Sequence, residues 1–333
     1  GGASVRYVIN RLVFFVISVW AAVTINFILP RLMPGDPAEA MFAKFQGHLT
    51  PYALHALELQ FGFSNKPLIL QYFDYLKGLL TGNWGLSFTY YPTPTTTVIG
   101  HSLPWTILLV GVATLLSVFA GTACGIYVAW RRGRALDSTL PVASLFVQAA
   151  PYMWTGLLLL FVFGFKLNWF PLARGYADNM TPSLSGDFVL SALYHGVLPA
   201  LTIFLGSFSG WLVGMRNNMI LTLGEDYVVF AEAKGVRPLR LVLAYAARNA
   251  ILPQVTSFAI AMGNVVSGSI LTEVVFSYPG IGAQLNNAVL QQDYPLIQGA
   301  FLVIAVSVLF ANLVVDLLYG KLDPRVQTGG ARA

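Results

Sequence analysis

The stretch AEAKGVRPLRLVLAYAARNAILPQ, residues 231–254, concentrates charge between two apolar segments. The whole sequence is 56% hydrophobic and only 10% charged, yet the first eighteen residues of this stretch carry five charged side chains. They are Glu232, Lys234, Arg237, Arg240 and Arg248. The pattern predicts a water-facing loop between two segments that lie in an apolar environment.

The composition predicts an all-α, polytopic membrane protein. A soluble domain carries roughly 25% charged residues, far more than the 10% found in this chain of 333 residues. The single cysteine, Cys124, excludes an intramolecular disulfide and a cysteine-based metal site. The net charge of +5 does not indicate nucleic-acid binding, because the cations lie beside apolar segments and not on one basic face.

Six segments are apolar and long enough to cross a bilayer as helices, which takes about 20 residues. They are 8–29, 103–130, 138–165, 192–215, 251–276 and 299–319. The first is longer than the apolar region of a signal peptide and is predicted to be an uncleaved anchor. Pro141 and Pro151 predict kinks in the third. The chain thus divides into an anchor (1–30), an outer loop (31–102), a five-helix core (103–320) and a tail (321–333).

The basic residues predict the orientation of these spans. With six spans both termini share one side of the membrane, and the segments on that side hold thirteen of the nineteen Lys and Arg residues. Cytoplasmic loops carry an excess of Lys and Arg. Both termini and residues 231–254 are therefore predicted to face the cytoplasm, while residues 31–102 face outward.

Residues 68–80 of the outer loop have apolar side chains at helical spacing and one polar face. Pro67 supplies a plausible helix start, and Gly82 a plausible stop. Two interpretations of this predicted helix remain open. It either lies on the bilayer surface or forms part of a docking surface for an external partner.

The sequence lacks the signatures of soluble enzymes. It contains no phosphate-binding G-x-x-x-x-G-K-[ST] loop, no G-x-G-x-x-G, no His-Glu-x-x-His and no Cys-x-x-Cys, and its four histidines are scattered. No catalytic residue and no metal site is predicted.

Glu273 and Asp316 lie near the ends of spans, where a pairing role competes with a functional one. No carboxylate or histidine relay lies in the middle of the predicted spans, which disfavours a secondary carrier. No set of converging catalytic residues is visible in the spans either, which disfavours a membrane-embedded enzyme or scaffold.

Small and polar residues mark the faces where spans should meet. Gly121 and Gly125 are four residues apart, and residues 206, 210 and 214 form a longer glycine ladder, so close helix packing is expected there. Four polar residues at membrane depth are candidates for lining a translocation path: Gln148, Ser257, Asn264 and Ser267. Hydrogen bonding between helices explains these four equally well.

The charged stretch itself predicts two short helices joined by a turn. The first should run over residues 226–234, with Asp226 at its N-terminus and Lys234 at its C-terminus, as the helix dipole favours. Gly235 suits a helix stop. Pro238 can then open a second helix that reaches Arg248 and Asn249. We call residues 226–250 the elbow.

The sequence resembles the permeases of binding-protein-dependent ABC importers. Within these, it is most similar to the dipeptide/oligopeptide/nickel family. The elbow matches that family's EAA loop, here within residues 216–250, and several other motifs follow in the expected order. These motifs occupy residues 33–37, 82–88, 276–282, 316–319 and 322–325. One departure is Tyr245, where many family members are expected to have histidine.

The resemblance implies a type I ABC importer permease in a bacterial or archaeal cytoplasmic membrane. The expected partners are a second homologous permease, two ABC ATPases that carry the ATP and Mg, and an extracytoplasmic substrate-binding protein; this chain itself would need no cofactor. The residues expected to couple to the ATPase are Asp226, Glu232, Ala233, Lys234, Gly235, Arg248 and Asn249. Short peptides are the expected substrate, with oligosaccharides as the alternative and nickel or opines behind them.

Overall fold

The computed structural model describes residues 2–32, 67–263, 265 and 270–322, and this part of the chain is helical, with one isolated β-bridge between Leu86 and Pro94. The first six helices are α1 (Gly2–Leu32), α2 (Leu68–Thr81), α3 (Thr95–Trp130), α4 (Ala135–Gln148), α5 (Tyr152–Leu159, continued by a π-helical stretch, Leu160–Lys166) and α6 (Gly186–Leu223). The others are α7 (Asp226–Ala233), α8 (Pro238–Arg240, continued by π-helical Leu241–Ala247 and by Arg248–Ala250), α9 (Leu252–Gly263), α10 (Ile270–Val275), α11 (Ile281–Leu290) and α12 (Tyr294–Leu322).

The predicted all-α, multi-pass architecture is confirmed. By length and composition α1, α3, α6 and α12 can each cross a membrane, and α4 with α5 can form one further span. The predicted fifth span falls on α9, an apolar helix that is shorter than a full span, and on α10. Residues 264 and 266–269 between them lie outside the described part of the chain, so this sixth crossing stays a prediction.

The third predicted span differs from a single straight helix. It consists of α4 and α5, which meet at an angle of 97°. Pro151 caps the start of α5, because a proline cannot donate the backbone hydrogen bond that would continue α4. Pro141 lies inside α4 without breaking it. Of the two predicted kinks, only the one at Pro151 therefore interrupts the helix.

The chain packs as two compact units. The first comprises the described residues within Gly1–Thr106, Val266–Ile270 and Pro279–Ala333. The second comprises those within Ile107–Val265 and Leu271–Tyr278. Helix α3 contributes to both, because its first twelve residues belong to the first unit and the others to the second.

In the first unit α1 packs along α12. Arg11 Nη1 lies 3.0 Å from Asp316 Oδ2, and the Tyr7 hydroxyl donates to the Asp316 carbonyl over 3.0 Å. The pairing role considered for Asp316 is thus what the structure shows. Both side chains of the ion pair are about one-third exposed, so the pair orients the helices and adds only about 0–1 kcal/mol.

The motif at residues 82–88 is fixed to the start of α12 through a buried carboxylate. Asp293 is fully buried and accepts hydrogen bonds from the Ser87 hydroxyl and from the backbone N–H of Thr89, the latter over 2.8 Å. Its other oxygen accepts from the Leu296 N–H at 3.2 Å, which caps the first turn of α12. A buried carboxylate is tolerated where hydrogen bonds satisfy it, as they do here.

In the second unit glycines bring helices close together, as predicted. A Cβ atom at Gly121 would lie 2.5 Å from Trp211 Cβ, and one at Gly125 would lie 2.6 Å from the Leu212 carbonyl oxygen, so α3 meets the backbone of α6 at both positions. A Cβ at Gly206 would lie 2.2 Å from the Tyr152 ring, so the ring at the start of α5 fits against α6 because residue 206 has no side chain. Packing in lipid depends on such close approach, since apolar burial gives no net drive there.

Candidate functional site: the elbow

The elbow forms because its sequence specifies each local turn. Helix α6 ends at Leu223, and two residues separate it from α7, which begins at Asp226. Gly235 ends the α7 region with φ of +80°, a left-handed conformation that glycine adopts without a steric cost. Pro238 then occupies the first turn of α8, where its missing N–H is not needed. The predicted helix–glycine–helix arrangement is confirmed.

The inner face of the elbow packs against α3 and α6, within the second unit. Val228 and Ala231 of α7 are buried with Leu241 of α8 in one apolar cluster, which Tyr245 borders. Farther along α8, Val242 and Ala246 pack into a second cluster with residues of α3 and α6. The two short helices are therefore held to each other and to the spans by buried apolar surface.

Polar bonds brace the elbow from within. The Asn249 side chain donates to the Tyr227 hydroxyl over 2.7 Å, and this hydroxyl lies 3.4 Å from the Tyr245 carbonyl oxygen, to which it donates. The side chain of Asn218 on α6 donates to the Ala250 carbonyl over 3.2 Å. Asn249 was predicted to couple to the ATPase; in the structure its amide bonds α8 to α7.

The outer face of the elbow combines apolar and charged groups. The predicted coupling residues Glu232, Ala233, Lys234 and Gly235 are exposed, as are Asp226 and Arg248. Four large apolar side chains are exposed beside them: Val229, Phe230, Leu239 and Leu243. Lys234 Nζ lies 4.4 Å from the centre of the Phe230 ring, a cation–π contact that orients both side chains. Exposed apolar patches rimmed by polar residues are typical of protein- or membrane-interaction sites.

A cavity of about 460 Å³ opens beside the elbow. Most of the residues that line its wall are of apolar type, and they come from the ends of α3 and α6 and from the elbow. Arg132 and Glu232 place one cationic and one anionic group on that wall. Glu232 therefore borders both the exposed face of α7 and this cavity.

The bond between Asn249 and Tyr227 can be tested with a double-mutant cycle. We expect Tyr227→Phe and Asn249→Ala each to lower the free energy of unfolding of the purified chain by about 1 kcal/mol or less, because each removes a partly exposed hydrogen bond. The double variant should be less destabilised than the sum of the two. Denaturation in detergent measures all three variants, and strict additivity would contradict a direct bond.

The predicted path residues are not brought together by any contact among the described residues. Gln148 is exposed at the end of α4, with its amide nitrogen near Gly210 of α6. Ser257 is exposed on α9, and its hydroxyl donates to the Pro253 carbonyl of the same helix. Asn264 and Ser267 lie outside the described residues. A role of these four in lining a path stays a prediction.

Sequence reasoning missed several polar contacts in the second unit. Arg216 Nε donates to Asp137 Oδ1 over 2.6 Å and ties α6 to the first turn of α4. The hydroxyls of Ser144 and Ser209 are 2.9 Å apart. Trp130 and Arg132 line the cavity beside Glu232. These residues are far apart in the chain, so no local pattern signals their pairing, although hydroxyls in apolar segments indicate that some partner exists.

These observations define a multi-pass membrane protein with an exposed helical elbow on the side predicted to be cytoplasmic. The chain belongs to the family described as the inner membrane component of binding-protein-dependent transport systems, whose profile matches residues 121–328. The profile of that component's N-terminal region matches residues 4–108. The protein is therefore a permease component of a transport system.

Relatives with assigned names match over nearly their full length. The di/tripeptide transport system permease protein DppB of Pseudomonas aeruginosa is 34% identical over 96% of this chain and 98% of its own. The oligopeptide transport system permease protein AppB of Bacillus subtilis is 30% identical over 96% of this chain and 99% of its own length. The dipeptide transport system permease protein DppB of Escherichia coli K12 is 29% identical over 97% of this chain and 98% of its own length.

Proposed function

We propose that this chain is the permease subunit of an ATP-driven importer that moves short peptides across the cytoplasmic membrane by alternating access. A second, homologous permease would complete the pathway, and two ABC ATPases would supply the ATP- and Mg-dependent step. An extracytoplasmic binding protein would deliver the substrate. The observation that carries this proposal is the elbow, whose exposed apolar and charged face is built on a firmly packed base.

The geometry supports coupling through the elbow. An ATPase groove that covers Phe230 and Leu239 would bury apolar surface that is now exposed, which favours association. The carboxylate of Glu232 would accept hydrogen bonds from a cationic or backbone donor of the ATPase. Closure of the two ATPases would then move the elbow and, with it, α6 and α9, to which it is directly joined.

Peptides are the proposed substrate because the matched relatives carry peptide names over nearly the whole chain. Oligosaccharides are the alternative that a transport assay must separate. The path is expected to accept extended polar backbones through hydrogen-bonding side chains, with Gln148 and Ser257 as its candidates among the described residues. Neither residue defines a selective pocket by itself.

The test begins with purification of the chain from its native membrane in a mild detergent, followed by mass spectrometry of the copurifying proteins. We expect a second permease, ATPases and a binding protein. The complex is then reconstituted in vesicles, and uptake of labelled di- to pentapeptides is compared with uptake of labelled oligosaccharides, with and without ATP. ATP-dependent peptide uptake supports the proposal. Oligosaccharide uptake alone, or uptake that persists without ATP, contradicts its substrate or its energy source, respectively.

A further inference from the structure

Helix α2 has three distinct faces around its axis. At about 100° per residue, Ile69, Phe73 and Leu80 fall within an arc of about 40°, and they are 60%, 59% and 89% exposed. A second arc holds Asp74, Lys77 and Thr81, which are also exposed, together with the exposed Leu70. A wholly apolar stripe thus borders a mainly polar one on the same helix.

The third face binds α1. The Tyr72 hydroxyl lies 2.8 Å from the Thr24 hydroxyl, and the Tyr75 hydroxyl accepts from the Asn26 amide over 3.1 Å. Arg31 donates to the Gln71 side chain over 2.9 Å. The protein therefore occupies the side of α2 that carries its tyrosines, and the apolar stripe points elsewhere.

These bonds place α2 beside the last turns of the apolar span of α1. The apolar span of α1 ends at Leu29, so at 1.5 Å per residue Asn26 and Thr24 lie about 4.5 and 7.5 Å inside that end. A helix in the membrane interface buries its apolar face about 5–10 Å into the boundary between headgroups and acyl chains. The tyrosine hydroxyls of α2 reach α1 at that level.

The same bonds also indicate the direction of α2. Its polar contacts with α1 come from one turn, Gln71 to Tyr75, although the helix has fourteen residues. Two helices that ran side by side would share contacts over several turns, whereas contact through one turn is what two crossing helices make. A helix that crosses α1 steeply near the end of the span would lie along the membrane surface.

We propose that α2 is an interfacial helix whose stripe of Ile69, Phe73 and Leu80 is inserted in the outer leaflet of the bilayer. This chooses between the two interpretations that the sequence left open, and it does not depend on the substrate or the ATPase. The occupant is lipid because α2 is bonded to the last turns of the α1 span, whose neighbouring apolar side chains Ile25 and Ile28 are themselves exposed. Asp74 and Lys77 on the neighbouring arc then face the headgroups and water.

Site-directed spin labelling tests this placement. Cys124 is first replaced by alanine, and single cysteines are placed at residues 69, 73 and 80 or, as matched controls, at residues 74, 77 and 81. The full chain is reconstituted in phosphatidylethanolamine/phosphatidylglycerol vesicles. We expect labels on the stripe to collide several-fold more with oxygen than with a water-soluble nickel chelate, and the controls to show the reverse. Labels at residues 69 and 80 should lie at the same depth.

Three results would overturn the proposal. Stripe labels that water reaches as freely as the controls would place α2 outside the bilayer, and stripe labels protected from both reagents would mean that protein covers them. A depth difference of about 16 Å between residues 69 and 80 would mean that α2 stands upright. A second measurement avoids substitutions: a photoreactive phospholipid should cross-link to peptides of α2 in the unsubstituted chain, and absence of such cross-links contradicts insertion.

Discussion

Glu232→Arg is expected to abolish ATP-dependent transport while leaving the chain inserted and folded. The side chain is exposed on α7 beside Phe230, so the substitution leaves the buried clusters of the elbow intact. In the proposed complex the carboxylate faces donors on the ATPase, and arginine would face those donors with a like charge. Loss of a desolvated charge pair costs roughly 2–5 kcal/mol, which lowers the affinity for the ATPase about 30-fold or more.

Copurification of the ATPase and ATP-dependent uptake in vesicles measure the effect. Glu232→Gln keeps the shape of the side chain and should lose less than the arginine variant. Asp187→Arg is the control for the charge change itself, because Asp187 is exposed in the first turn of α6, at the predicted outer side. Unchanged transport in Glu232→Arg would refute the coupling role of this residue.

Alanine at Gly121 or Gly125 is expected to destabilise the second unit severely. The added methyl group would overlap the main chain of α6 at either position, and the backbone cannot rotate away as a side-chain tip can. The helices would have to separate, with a cost of about 1–3 kcal/mol for overpacking and for the lost contacts. The Ser117–Ser207 hydrogen bond, 2.8 Å long between α3 and α6, would be strained by the same movement.

Gly100→Ala is the matched control, because Gly100 lies on the same helix and a Cβ there would have no heavy atom within 4 Å. It should be neutral or slightly stabilising, since alanine is the better helix former by about 1 kcal/mol. Thermal denaturation in detergent compares the three variants. Equal stabilities for Gly100→Ala and Gly125→Ala would show that close approach of α3 and α6 is not required.

The elbow could be predicted from sequence because its determinants are local. Gly235 and Pro238 specify their own backbone conformations, and the charges at both ends of α7 fit the helix dipole. The helix over 68–81 was predictable for the same reason, from its apolar period and from Gly82, whose φ is +76°. Bounds set by periodicity and by turn residues therefore agreed with the structure.

Features that depend on tertiary packing could not be predicted in the same way. Pro151 signals a break, but neither the 97° bend nor the contact of the Tyr152 ring with Gly206 follows from the local sequence. Asn249 carries the family motif, yet its bond goes to Tyr227, 22 residues earlier. Both arrangements join residues that only the folded chain brings together.

The junctions at both ends of the elbow are very short. Only Gly224 and Glu225 separate α6 from α7, and only Ile251, whose N–H still bonds to Ala247 O over 3.0 Å, separates α8 from α9. A loop of many residues would absorb a displacement by changing its own dihedral angles. A force applied to the elbow would therefore pass to α6 and α9 with little change in the dihedral angles of the two junctions.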